Sequence, residues 1–130
     1  MSWQAYIDQS LCGSGHVEKG AIYNLEGNSC WATSPDFPIT PAEMLEVKKG
    51  LDGKTDDLYA NGFHLAGERY VLTKVDEDTK VLYARKGKDG LVIGKTVQAI
   101  VIARYVDPMI AGNTSETVQK LVDYLVKVGY

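Results

Sequence analysis

The chain has little of what would mark a metalloprotein, a secreted disulfide scaffold, a membrane protein or a nucleic-acid binder. Only two cysteines, Cys12 and Cys30, occur in 130 residues. They show neither C-x2-C metal spacing nor the density of a disulfide framework, so both are read as reduced thiols. Behind Met1-Ser2 there is no apolar signal-peptide core, and the expected address is the cytoplasm. Ala99 to Ala103, the longest apolar run, stops at Arg104 and falls far short of the about 18 residues of a membrane span. Asn113-Thr114-Ser115 matches a glycosylation acceptor, but a chain that enters no secretory route never meets the enzyme. The formal charge of -3 supplies no broad positive field, which removes nucleic acid as the main partner.

Catalytic patterns are equally sparse. His16 and His64 are the only histidines, and neither has a cysteine, histidine or serine at a motif spacing. Gly90-Leu91-Val92-Ile93-Gly94-Lys95-Thr96 has three residues between its glycines where a P-loop needs four, and it lies in strand sequence. Gly13-Ser14-Gly15 lacks the preceding strand and third glycine of a dinucleotide fingerprint, and reads as a helix stop. Asp76-Glu77-Asp78 is a solvated turn. No enzyme, metal site or cofactor is expected; a hydrolase would need a histidine brought beside a nucleophile by the fold alone.

What the chain does have is 45% hydrophobic content over a length suited to one compact domain, residues 1–130, with no repeat or linker. Ser2 can cap a helix through Leu11 that carries Trp3, Tyr6, Ile7 and Ser10 on one stripe. Val17 to Leu25 and Ser29 to Thr33 flank the turn Glu26-Gly27-Asn28, a hairpin that delivers Trp31 to a strand. Thr40-Pro41-Ala42-Glu43 is a capping box with proline at the first helical position, opening a helix to about Lys49. Gly50 to Asp57 is turn-rich, and Leu58 to Gly62 leads into strands at Phe63 to Ala66, Glu68 to Val75, Lys80 to Arg85, Leu91 to Lys95 and Val97 to Tyr105. Ala99 to Ala103 is apolar at consecutive positions, which predicts a central strand with both sheet faces covered. Asn113 and Glu116 open a last helix whose Val118, Leu121, Val122 and Leu125 form a core stripe ending near Gly129. The fold class is α+β, an α-β sandwich around a central antiparallel sheet.

Trp3 and Tyr6 are neighbours at helical spacing, a pattern that ordinary core packing also produces. Longer strings point further. Met1-Ser2-Trp3-Gln4-Ala5-Tyr6-Ile7-Asp8 resembles the start of profilins, and Ser29-Cys30-Trp31-Ala32-Thr33-Ser34 is similar to their second tryptophan segment. Ile39 to Glu43, Asn61-Gly62 through Glu68-Arg69-Tyr70, and Leu121 to Leu125 with Gly129-Tyr130 continue the match in order across nearly the whole chain.

The resemblance implies terminal helices side by side on one face of the sheet and shorter helices on the other. It implies a monomeric actin-binding protein without chemistry of its own, which regulates or sequesters actin monomers, aids actin nucleotide exchange and binds proline-rich proteins such as formins. Carried over by position, the polyproline site would be Trp3, Tyr6, Trp31, Tyr124 and Tyr130. Independently, Tyr124 lies roughly 100° from the centre of the last helix's core stripe, at its edge. The actin surface would be Tyr59, Arg69, Leu72, Lys74, Arg85, Lys86, Lys88 and the segment from Met109 to Gly112, although Ile110-Ala111-Gly112-Asn113 lacks the small polar character frequent there. Phosphoinositide head groups are a further expected ligand of Arg69, Lys74, Arg85, Lys86 and Lys88. A polyproline module without actin binding is the alternative reading.

Overall fold

The computed structural model describes residues 3–76, 78 and 81–130. The expected cap Ser2, the turn residue Glu77 and the strand start at Lys80 lie outside the described residues. Among the described residues, seven strands form one antiparallel sheet in the order β2-β1-β7-β6-β5-β4-β3. They are β1 (Lys19–Asn24), β2 (Cys30–Thr33), β3 (Phe63–Leu65), β4 (Glu68–Asp76), β5 (Val81–Lys86), β6 (Asp89–Lys95) and β7 (Ala99–Tyr105).

β7 lies centrally between β1 and β6, and its alternation serves two cores. Ile100 and Ile102 join a cluster with Met44, Val47, Leu58, Phe63 and Tyr70. Ala99, Val101 and Ala103 join Ile7, Leu11, Val118, Val122 and Leu125 on the opposite face. A strand segment whose side chains enter apolar surroundings on both sides has to be apolar at consecutive positions, as Ala99 to Ala103 are.

One layer contains α2 (Pro41–Leu51) and α3 (Asp56–Ala60). The capping box of α2 is formed: the Glu43 amide donates to Thr40 Oγ1 and the Thr40 amide to Glu43 Oε1. Glu43 Oε2 accepts from the Gly67 amide at 2.9 Å, tying the helix start to the β3–β4 turn. α3 takes up part of the Leu58 to Gly62 lead-in to the strands, where no helix was expected. Asp56 and Asp57 in its first turn complement the helix dipole, and burial of Leu58 outweighs weak local propensity. Gly62, at φ +76°, then turns the chain where a Cβ would press on the Tyr70 carbonyl.

The other layer contains the two terminal helical segments. α4 (Ala111–Lys127) begins two residues before the expected start, with Ile110 at the N-cap position and no side-chain cap. Thr114 Oγ1 donates to the His16 carbonyl at 2.6 Å, anchoring this first turn to the chain segment just before β1. Gly94 lets α4 approach closely, since a Cβ there would meet Val118 and Val122 at about 3 Å. The near-P-loop glycine therefore serves helix-on-sheet packing.

The N-terminal segment is not the uniform α-helix expected. α1 (Trp3–Ala5) passes into a π-helical stretch, Tyr6–Leu11, and then a tight 3₁₀ turn, Cys12–Ser14. The Cys12 amide bonds to the Ile7 carbonyl, five residues back. This winding buries Ile7 and Leu11 completely and leaves Tyr6 and Ser10 half-buried at the rim. No helix among the described residues is long and apolar enough to cross a membrane.

Candidate functional site

Five aromatic rings from three separate parts of the chain meet at one end of the terminal-helix layer. Trp3 stands at the centre: its ring centroid is 4.7 Å from Trp31, 4.9 Å from Tyr130 and 5.5 Å from Tyr6. Tyr6 lies 6.0 Å from Tyr124, and Trp31 lies 6.4 Å from Tyr130. The Trp3–Tyr130 and Trp31–Tyr130 pairs are edge-to-face, an arrangement in which each ring also leaves surface uncovered.

The cluster is not simply core. Trp3, Tyr6 and Trp31 rest on the apolar cluster beneath α4 but are only partly buried. Tyr124 is 46% and Tyr130 40% exposed. Burial and the adjacent Tyr124 phenol hold the Tyr6 hydroxyl above the ordinary tyrosine range, so Tyr6 remains a neutral hydrogen-bonding group at physiological pH.

Residues that sequence reasoning missed hold these rings in place. Gln4 Nε2 donates to the Thr33 carbonyl at 3.1 Å, fastening α1 to the edge strand that carries Trp31. The Tyr130 amide donates to the Leu125 carbonyl at 2.8 Å as the chain turns off α4. The Tyr130 carbonyl accepts from buried Thr96 Oγ1 at 2.6 Å and from the Gln98 amide at 2.5 Å. Gln98 Nε2 also donates to the Gly129 carbonyl. The Thr96 and Gln98 contacts span more than 30 residues and leave no local signature.

The basic residues expected on a second surface divide. Lys74, Arg85 and Lys88 line one groove with Thr73, Tyr83 and the Met109–Ala111 segment, enclosing about 620 Å³. Lys74 Nζ stands 5.6 Å from the centre of the Tyr83 ring, and Tyr83 Oη shares a 2.6 Å hydrogen bond with Ser115 Oγ of α4. Gly112, in the first turn of α4, directly follows the lining residues Ile110 and Ala111, and Ile110 is 63% exposed. Tyr83 and Thr73 were not identified from sequence, although alternation on β5 places Tyr83 and Arg85 on one face.

Two expected contacts need correction. Leu72 is 2% exposed and packs in the α2–α3 core, so it is not a surface contact. Lys86 follows Leu82 and Ala84 on the opposite sheet face, where its Nζ pairs with Glu68 at 2.6 Å. That ammonium holds the Glu68 carboxyl below its usual range. Tyr59, exposed on α3, and Arg69, whose guanidinium donates twice to the Asn61 carbonyl, sit by the β3 edge outside the groove.

The two histidines lie far apart in the fold, His16 half-buried before β1 and His64 on β3. Ser14 Oγ, the hydroxyl nearest His16 in sequence, donates to the Leu11 carbonyl at 2.6 Å and accepts from the His16 amide. His64 is exposed on β3. Among the described residues no cluster of three or more His, Cys, Asp or Glu side chains could hold a metal ion.

A family model described as Profilin matches residues 1–130. The profilin of Saccharomyces cerevisiae is 38% identical over 130 residues, covering all of both chains. The solved structure of Acanthamoeba castellanii profilin IB has a TM-score of 0.90 at 38% identity, covering 99% of this chain and 100% of that one. Mouse profilin IIa, solved in complex with a double repeat from the FH1 domain of mDia1, has a TM-score of 0.82 at 19% identity over 100% of both chains, a likeness of fold.

Proposed function

The chain belongs to the profilin family, and from that premise we propose that it binds actin monomers through its basic sheet groove and proline-rich segments through its aromatic cluster. The observation that carries the reading is the convergence of Trp3, Tyr6, Trp31, Tyr124 and Tyr130 into one partly exposed, polar-tipped wall. A polyproline II helix is already extended and has no amide donors at proline. Flat rings can grip it at low entropic cost, while phenols and indole N–H groups donate to its carbonyls. A mouse relative of the same fold has been seen with a formin FH1 repeat, which agrees with this use of the wall.

The actin surface is Lys74, Arg85 and Lys88 with the start of α4, extended by Tyr59 and Arg69 toward the β3 edge. Basic residues around Tyr83 suit a partner with an acidic rim, where attraction hastens encounter more than it deepens affinity. The Ala111 end of α4 and Tyr124 are separated by about 20 Å of helix, at 1.5 Å per residue, so both partners can be held together. Nucleotide exchange on actin follows if this surface prefers one actin conformation, with no catalytic group required. The same three cations form the candidate patch for phosphoinositide head groups; Lys86, turned to the other face, is not part of it.

Pull-down of monomeric actin, with and without a proline-rich formin segment, tests the reading. Recovery of both partners in one complex is expected. Recovery of the proline-rich segment alone would leave a polyproline module without actin binding.

A further inference from the structure

Beside the aromatic wall, a second open space of about 620 Å³ lies between the π-helical segment and the middle of α4. It is lined by Tyr6, Ser10, His16, Thr117, Lys120 and Tyr124 among others. Tyr6 and Tyr124 therefore belong both to this space and to the ring cluster, and the two form one continuous surface. We propose that this pocket receives an acidic side chain flanking the proline-rich stretch, and so selects among proline-rich partners. The inference rests on the aromatic cluster being the proline-binding site.

The lining chemistry points to an anion. Its ionisable groups are Lys120, His16 and two phenols, all of them hydrogen-bond donors, and no carboxylate lines the space. Lys120 pairs with Glu116 at 3.3 Å, one helical turn away, but the two side chains are 77% and 68% exposed. Such a pair contributes little and exchanges readily for a better-placed carboxylate. The pocket is thus locally cationic on a chain whose net charge is -3. A free anion gains little there. An acidic residue tethered to proline rings on the adjacent wall meets Lys120 at high effective concentration, so a weak contact becomes measurable.

The test uses the full chain and three synthetic peptides that share one octaproline core, flanked at both ends by Asp-Asp, Ala-Ala or Lys-Lys, titrated against wild type and Lys120→Ala. The acidic peptide should bind wild type roughly two- to fivefold more tightly than the alanine peptide, as for one exposed charge pair. The lysine peptide should bind most weakly. In Lys120→Ala the acidic advantage should vanish while the alanine peptide binds as before. Equal binding of acidic and alanine peptides to wild type, or an advantage retained in Lys120→Ala, overturns the proposal and leaves the aromatic site standing. If no proline peptide binds the folded wild type, the proline-site reading fails and the flank pocket fails with it. Phosphatidylserine vesicles that require Lys120 for binding, alongside peptides that show no flank preference, would make the pocket a lipid contact instead.

Discussion

Replacing Thr96 by valine tests whether the aromatic wall is a positioned site or a loose patch. Thr96 is 4% exposed, and valine has nearly its shape without the hydroxyl. The lost oxygen accepts from the Ala99 amide at 2.9 Å and donates to the Tyr130 carbonyl at 2.6 Å. The Tyr130 carbonyl keeps its bond from the Gln98 amide, so the main new orphan is the buried Ala99 N–H. One such orphan costs about 1–3 kcal/mol. With an unfolding entropy of about 0.27 kcal/mol/K for a chain of this size, the melting temperature should fall by roughly 4–11 °C. Thermal unfolding followed by circular dichroism measures this. At 25 °C, where the variant stays folded, its affinity for polyproline should fall severalfold because Tyr130 has lost one of its two carbonyl anchors. Thr96→Ser should restore both properties. A lower melting temperature with unchanged polyproline affinity would refute the claim that Thr96 positions Tyr130 for ligand.

Three other outcomes follow from the same geometry. Lys74→Glu with Arg85→Glu should weaken actin-monomer binding in a pull-down and leave polyproline binding intact, whereas Lys86→Glu on the opposite face should leave both unchanged; parallel loss of both activities in a folded double variant would contradict two separate surfaces. Leu72→Ala should lower stability by about 2–5 kcal/mol in urea unfolding, as for a buried core leucine, rather than remove actin binding selectively. Tyr23, neutral within the fold, is pushed up to about 12 by burial first and then by Cys30 beside it. Its folded value is raised, so the associated stability is complete below pH 10 and is lost between about 10 and 12, which alkaline unfolding checked against Tyr23→Phe would register.

Periodicity and capping made much of this architecture legible. The consecutive apolar residues of β7 required two covered faces, and Thr40-Pro41-Ala42-Glu43 formed the helix start its chemistry implies. α3 was not legible because five residues carry too little period, and burial of Leu58 decides their state. The π-helical winding at Tyr6–Leu11 was also hidden, since Trp3, Tyr6, Ile7 and Ser10 fit an ordinary helical stripe equally well. At the candidate site, family likeness named five rings that spacing alone could not separate from core. Thr96 and Gln98 remained invisible because their contacts to the C-terminal turn join distant parts of the chain. Lys86 and Leu72 were misplaced for another reason: charge and proximity in sequence do not report which sheet face a side chain occupies. Strand alternation does, once the register is known.

The most direct test of the central claim is titration of the protein with polyproline while following tryptophan fluorescence. Both tryptophans, Trp3 and Trp31, lie in the proposed wall, so a saturable change in emission is expected. Emission unchanged up to millimolar peptide, from protein shown to be folded, would contradict the account.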